Sequence, residues 1–435
     1  MTDTNALTLP DHTDHPMDCD VLIVGGGPAG LSLSIALAQA GFQSIVLDQQ
    51  PREVLAHPPE DGREIALTHP SVRTLEQLGS WQELAEHEVG TIREAHVHNG
   101  PVHGAPGMLL NALDSGEEFL GRIVPNHALR RSAYAVASRC PQVHILDAAK
   151  VQQVSVHADH ASVEYVRDAQ PPRQLRAPLV VAADSRFSGT RRQLGVGAQM
   201  TDFGRTVIVC RMQHEQSHND IAHECFGFER TLAVLPLPDD PATGMPLCSV
   251  VVTADTADAT ALMALSAEAF TQAIAQQFDQ RLGRMQLVGE RHAYPLVATY
   301  AQRFAGHRFA LLGDAAVGMH PVTAHGYNLG LSGVSRLAKA LQQASTRGID
   351  IGSHAALADY GPGLHRQAWP IFQGTNTVVR LFTDARPLPR LLRNIVLRGA
   401  QHLPPLKALI VQQLTGKRVP LRPPIGIPRP HLPSR

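Results

Sequence analysis

Three stretches of the chain gather residue types that could hold a phosphate or a sugar. In the first, a β-branched run ends in Gly25, Gly27 and Gly30, spaced G-x-G-x-x-G, with Pro28 and Ala29 before the last glycine. The first glycine permits a tight turn. The second lets backbone approach a pyrophosphate, and the third lets a helix pack close on its strand. The helix that follows offers free N–H groups and a partial positive charge to the phosphates. Asp48, which ends the next apolar run, can accept from both hydroxyls of a ribose. In the second stretch, Val180-Val181-Ala182-Ala183 delivers Asp184 to the carboxyl edge of a sheet, where ligands of open α/β folds bind. In the third, a buried run over residues 308–312 leads into Gly313 and Asp314, then a small-residue loop and a long helix. Asp314 is placed to accept from a sugar hydroxyl. The loop from Ala324 to Asn328, which includes Gly326 and Tyr327, opens that helix, so its N–H groups converge on whatever lies beneath.

Two further residue types bear on chemistry. Arg63 follows the first unit closely enough to neutralise a pyrophosphate with both guanidinium nitrogens, and an ordinary surface role fits its local sequence equally well. His320 and His325 are the candidates for proton transfer, because an imidazole titrates near neutrality. Most of the chain's 23 histidines are expected to be surface or packed residues.

The elements that must position these residues give an α/β fold. Strand, glycine turn, helix, second strand and acid form a βαβ unit. Short β runs over residues 151–154 and 161–166 predict a small antiparallel sheet, with a turn at Ala158-Asp159-His160. A helix is expected from Asn126 to Ala137 and another from Ser71 to Leu78. Residues 96–121 read as a loop or hairpin excursion. Runs at 206–210, 231–237, 247–253 and 296–300, with a helix capped by Ser266, predict a second, mostly antiparallel lobe. The expected organisation is therefore a Rossmann-like nucleotide-binding domain (18–95, 120–200 and 301–350) and a mixed, mostly antiparallel substrate domain (96–119 and 201–300). A helical C-terminal region (351–422) follows, with a disordered tail at 1–17 and a proline-rich one at 423–435.

Bulk properties narrow the function. The formal net charge is −1, yet ten Lys or Arg and no acid follow Asp384. Leu388, Leu391, Leu392, Ile395 and Val396 make an apolar stripe with Arg390, Arg393 and Arg398 off it. This predicts helices that pack on the body, or that touch an anionic membrane surface or biosynthetic complex. The five cysteines are scattered without a C-x-x-C, so neither a zinc finger nor a disulfide framework is implied, and no metal is expected. Residues 1–17 lack the apolar segment of a signal peptide. Residues 21–41 carry no charge, but their glycines and small residues fit a buried nucleotide-binding unit better than a membrane span. A cytoplasmic protein, peripheral to the inner face of the membrane, is expected, with no nucleic-acid partner.

The three motifs in order resemble the single-component flavin aromatic hydroxylases, the para-hydroxybenzoate hydroxylase superfamily. Within it the chain is most similar to the ubiquinone-biosynthesis hydroxylases. Asp61-Gly62-Arg63-Glu64-Ile65-Ala66-Leu67 resembles that branch's D-G-R-x-I-A-L, and Met319-His320-Pro321-Val322 and Ala233-Val234-Leu235-Pro236-Leu237 resemble its further motifs. The likeness runs from about residue 20 to 416. It implies non-covalent FAD, with Gly25 to Gly30 and Asp48 on its ADP half. Arg63, Gly313 and Asp314 would hold the pyrophosphate–ribitol region, and Pro321 with Gly326 to Asn328 would face the ring. Asp184, Ser188 and Arg191 belong to a motif linked to both FAD and NADPH. The implied reaction uses NADPH or NADH and O2 to hydroxylate a small aromatic substrate, a phenolic, ubiquinone-precursor-like ring with or without a polyprenyl chain, through a flavin C4a-hydroperoxide. The alternatives are another phenolic substrate or a non-catalytic FAD-binding scaffold. A halogenase would carry W-x-W-x-I-P, and the two tryptophans, Trp81 and Trp369, exclude it. Ser185 stands where that family has glycine, Val317 where His or Asn is common, Ala324-His325 in place of Gly-Gln, and Gly333 where Asp is usual. A Cβ at Ser185 or Ala324 is expected to press on a turn that suits glycine.

Overall fold

The computed structural model describes residues 17–99, 107–167, 170–227, 230–319 and 325–383. Its centre is the strand Val21–Val24, whose four apolar residues are buried. A strand that is apolar at every position belongs in a sheet covered on both faces. Its sheet runs, in order, Ala305–Gly306, Phe309–Leu311, Leu179–Ala182, Val21–Val24, Ser44–Leu47 and Val143–Leu146. All pairs are parallel except the first.

Register explains why motifs far apart in sequence become neighbours. Val24 pairs with Ala182 and Leu47, and Ala182 pairs with Leu311. The ladder continues one residue past each strand: Gly25 N–H donates to Leu47 O at 2.8 Å, Ala183 N–H to Val24 O at 2.8 Å and Leu312 N–H to Ala182 O at 2.8 Å. The glycine turn, Asp184 and Gly313-Asp314 therefore leave the sheet side by side at its carboxyl edge. The helices Pro28–Gln39, Asn126–Ala137 and His325–Thr346 pack together over this sheet.

A second, eight-stranded sheet runs Val317–Gly318, Met285–Ala301, Ala198–His214, Leu247–Asp255, Thr231–Leu237, Ile221–Phe226, Glu94–Asn99 and Met108–Asn111. Thr256–Ala264 and Ala267–Gln277 are helices on its outer face, where Phe270, Ile274 and Phe278 are fully buried. Ser266 caps the second of these, its Oγ accepting from Ala269 N–H at 3.1 Å. A small sheet of Glu64–Leu67, Gly121–Pro125 and Gly90–Ile92 lies against the inner face.

The stretch 96–121 takes the hairpin alternative. Glu94–Asn99 and Met108–Asn111 pair antiparallel, and the first docks in parallel on Ile221–Phe226. That partner strand, with sequence IAHECF, lacks the polar–apolar alternation that announces a strand. Helix Tyr360–Thr383 closes the described part of the chain, with Pro370 inside it. No helix among the described residues is long and apolar enough to cross a membrane. The C-terminal stripes from Leu388 onward, the expected tails except Met17, His320, Pro321 and Ala324 lie outside the described residues.

Candidate active site

The glycine turn is built around three different spatial demands. Gly25 sits at φ +112°, and a Cβ there would stand 2.4 Å from Ala183 O. A Cβ on Gly30 would stand 2.0 Å from Gly25 O. Gly27 is different: nothing lies within 4 Å of the place its Cβ would take. Two glycines let backbone meet backbone, and the third keeps open space at a helix N-terminus. Gly27 is the N-cap and makes no side-chain cap, and Pro28 begins the helix, so the first-turn N–H groups face outward unsatisfied by side chains. An anionic group fits that cradle. Ala29 closes its far side, lying 3.1 Å from a Cβ placed on Gly313, itself at φ +59°.

Asp48 already serves the turn. Its Oδ2 accepts from Gly26 N–H at 2.6 Å and its Oδ1 from Gln50 N–H at 2.8 Å. These bonds aim the carboxylate, and each oxygen keeps a lone pair for a further donor.

Asp184 and its followers tie the sheet edge together. Asp184 Oδ1 accepts a short hydrogen bond from Ser188 Oγ, and Oδ2 accepts from Thr190 N–H at 3.0 Å. Ser188 Oγ in turn accepts from Arg191 N–H at 2.8 Å, capping the helix Gly189–Gln193. Arg191 is buried and donates to Ala315 O at 2.9 Å and Arg186 O at 3.2 Å. The motif thereby fastens the Asp184 loop to the Gly313–Ala315 turn. Ser185 stands at φ +86°, the left-handed region that disfavours a side chain. Ser185→Gly is expected to stabilise the protein by about 1 kcal/mol, read as a raised urea midpoint at unchanged slope. A lowered midpoint would mean that the serine hydroxyl earns its place. Gly333 has an equally local reason: a Cβ there would lie 2.8 Å from Leu312 Cδ1, so an Asp would be driven into apolar packing.

Asp314 pairs with Arg186, a residue the sequence reading passed over, at 3.2 Å; Arg186 also donates to Val297 O at 3.0 Å. Arg63 is held by Asp61, with Nη2 2.6 Å from Oδ2. Its guanidinium lies 5.5 Å over the Tyr294 ring, and the Tyr294 hydroxyl donates to Asp61 O at 2.8 Å. Asn126 Nδ2 donates to Asp61 as well, at 2.7 Å. Burial pushes the Asp61 carboxyl up, but the Arg63 and Asn126 bonds outweigh it and hold the group below its ordinary range. Gly62, at φ +68°, lets this loop press on the second sheet: a Cβ there would meet His292 and Val209 at 2.8 and 3.0 Å. Glu64 then reaches across to Arg211 Nε at 2.8 Å. Burial, only partly offset by Arg211, pushes its carboxyl up to about 7.

The third motif is divided in use. His325 is buried at the start of its helix, and Gly326 faces Asp314, whose Oδ1 lies 3.9 Å from a Cβ placed there. The Tyr327 hydroxyl lies 3.4 Å from Ser32 Oγ. The Asn328 amide is committed elsewhere: Nδ2 donates to Ala66 O at 2.8 Å, and Oδ1 accepts from Thr68 N–H at 2.9 Å. Asn328 thus anchors the helix to the end of Glu64–Leu67.

The second sheet carries one register row on its inner face: Val209, Val251, Ala233, Glu224 and Val97. Val209 meets Gly62, so this face looks at the Asp61–Gly62–Arg63 loop. Val251, Glu224 and Val97 are only half-buried although they sit within the sheet. The inner face thus keeps part of this row open to solvent. Its acid, Glu224, meets no hydrogen-bond or ion-pair partner among the described residues, and burial pushes its carboxyl up to about 8. Sequence reasoning missed Glu224, Arg186 and Tyr294. Pairing of distant strands placed them, and no local pattern marks it.

A parallel nucleotide-binding sheet with an open glycine cradle, joined to a large, mostly antiparallel sheet, is the architecture of FAD-dependent monooxygenases of the aromatic-hydroxylase type, and this chain is one of them. The chain belongs to the FAD-binding domain family, which matches it over residues 18–373. It is 44% identical over 399 residues to ubiquinone hydroxylase UbiM of Neisseria meningitidis, covering 91% of this chain and 84% of that one. It is 34% identical to ubiquinone hydroxylase UbiL of Rhodospirillum rubrum, covering 91% and 89%. Among solved structures, p-nitrophenol 4-monooxygenase PnpA of Pseudomonas putida shares the fold, with a TM-score of 0.73 at 19% identity over 92% of this chain and 99% of that one.

Proposed function

We propose that this chain hydroxylates the ring of a prenylated phenol on the way to ubiquinone. The observation that carries the reading is the half-open apolar row on the inner sheet, with Glu224 its acid, facing the loop that carries Arg63. Such a wall suits a flat aromatic ring with one oxygen to be oriented. The relatives named above are ubiquinone hydroxylases, which supports this substrate class.

In this reading Gly25, Gly27, Pro28, Ala29 and Gly30 take the FAD pyrophosphate, and Asp48 the ribose. Arg63, Asp184, Gly313 and Asp314 hold the middle of the cofactor. His320, Pro321, His325, Gly326, Tyr327 and Asn328 border the ring. When bound, FAD supplies acceptance of electrons from NAD(P)H and activation of O2. The chain orients the substrate and keeps water out. Glu224, uncharged at neutral pH, donates a hydrogen bond to the ring oxygen, as a buried neutral acid can.

Asp314→Ala is expected to weaken FAD binding about tenfold to a hundredfold, the loss of one charged hydrogen bond of about 1.5–3 kcal/mol. The apoprotein should melt almost as before, because the partly exposed Arg186 pair that is lost contributes about 1 kcal/mol or less. Equal FAD affinity with a lowered apo melting temperature would make Asp314 a structural residue. The basic C-terminal stretch, read from sequence, is proposed to bring the enzyme to an anionic membrane surface from the cytoplasmic side. It should float with anionic vesicles at low salt and be released at high salt. No flotation at low salt would remove the membrane from the account.

The reading is tested by feeding purified holoenzyme NADH or NADPH, air and a panel of phenols with and without prenyl chains. A ring product 16 mass units heavier from the prenylated members is expected. Turnover confined to small polar phenols would move the substrate elsewhere.

A further inference from the structure

We propose that His96, His98 and His223 form a binding site for a divalent transition-metal cation of the zinc or copper class. The site lies behind the inner wall, on the face of the second sheet opposite Glu224. Alternation along Glu94–Asn99 puts His96 and His98 on one face, and the parallel register sets His223 beside His96. One nitrogen from each ring lies within 4.8 Å of those of the other two. His98 Nε2 and His223 Nδ1 are 3.3 Å apart. Two imidazole nitrogens on a tetrahedral zinc, each at about 2.0–2.1 Å, stand about 3.3–3.4 Å apart. That pair is already at ligand spacing, and His96 needs a shift of about 1 Å to join it.

A second feature supports the assignment independently. His96 Nε2 lies 2.9 Å from Glu94 Oε2, and Glu94 Oε1 accepts from Asn111 Nδ2 at 2.6 Å. A carboxylate that holds an imidazole, and is itself held, is the usual outer shell of a histidine metal site. Glu94 also supplies the negative charge the site needs, since Arg281 faces His98 and His223. His98 and His223 are buried and Phe278 lies edge-on to His223, so these two rings are fixed, while His96 keeps access to solvent. Nitrogen ligands alone suit zinc and copper rather than magnesium or calcium. A metal here would pin the Glu94–Asn99 strand to its neighbour Ile221–Phe226.

The test uses the full-length holoenzyme, stripped with EDTA and titrated with Zn²⁺ against a chromophoric chelator, with metal content measured after dialysis. About one tightly held zinc per chain is expected, with the yellow FAD unchanged and the melting temperature raised. His223→Ala and His98→Ala should each weaken that zinc at least a hundredfold. X-ray absorption of the zinc-loaded wild type, which needs no variant to fold, should show three imidazole nitrogens near 2.0–2.1 Å. Equal uptake by the wild type and His223→Ala, an oxygen-only shell, or no tight zinc would overturn the site and leave a hydrogen-bonded histidine chain.

Discussion

Gly27→Val should yield a folded, colourless protein. Gly27 has extended backbone at φ −73° and ψ 177°, which valine adopts without strain. Nothing lies within 4 Å of its Cβ position, so the fold has no objection to the side chain. The open space is what the cofactor needs. A valine there fills the approach to the helix N-terminus and keeps the pyrophosphate from the N–H groups. FAD affinity should fall at least a hundredfold, about 2.7 kcal/mol. The apo variant should melt within about 2 °C of apo wild type, as surface changes without lost contacts do. Gly30→Val gives the contrast, because its Cβ would overlap Gly25 O at 2.0 Å and the variant should fail to fold. A yellow Gly27→Val protein with wild-type affinity would detach the glycine turn from FAD.

The second large effect concerns Glu224. Glu224→Ala should lower kcat/KM about tenfold to a hundredfold, the value of one oriented hydrogen bond to the ring oxygen. Glu224→Gln keeps a donor of the same length and should stay within about threefold of wild type at pH 7. The pH profiles separate the two roles. With its carboxyl raised from 4.5 to about 8, Glu224 is a neutral donor below that value and a buried anion above it. Wild-type activity should therefore fall above about pH 8, and Glu224→Gln should lose that limb. Stability follows the same proton. The folded state holds it between about pH 4.5 and 8, so this contribution is full below 4.5 and is lost as pH rises through 8. Glu224→Gln should flatten that part of the stability curve. A Glu224→Ala enzyme with unchanged kinetics and pH profile would make Glu224 a wall residue only.

The cradle was legible because its constraints are local. The β-branched strand, three glycines and the helix after them lie within a few residues, and each glycine has a backbone reason to be there. The helix Asn126–Ala137 and the Ser266 cap were legible for the same reason. The inner wall was not. His98 and His223 are 125 residues apart in sequence, and the same strand pairing that joins them turns Glu224 inward. Arg186 reached Asp314 across 128 residues. Asn328 shows a subtler limit. The motif sets it at the opening of the helix as a cofactor-facing residue, whereas its amide ties Ala66 and Thr68 to the helix. Ser185 was read as a side chain where the turn wants glycine, and its φ of +86° bears that out.

Turnover under ¹⁸O₂ separates a ring hydroxylase from a flavin-binding protein that does not hydroxylate. The FAD-loaded enzyme, NADPH or NADH and a prenylated phenol would be mixed in labelled oxygen, and the ring product weighed. One labelled oxygen atom is expected in the ring hydroxyl for each NAD(P)H consumed in coupled turnover, and no label when ¹⁸O is supplied only as water. An unchanged ring, with NAD(P)H either left unused or spent only on hydrogen peroxide, would contradict it and leave a flavin-binding protein that does not hydroxylate.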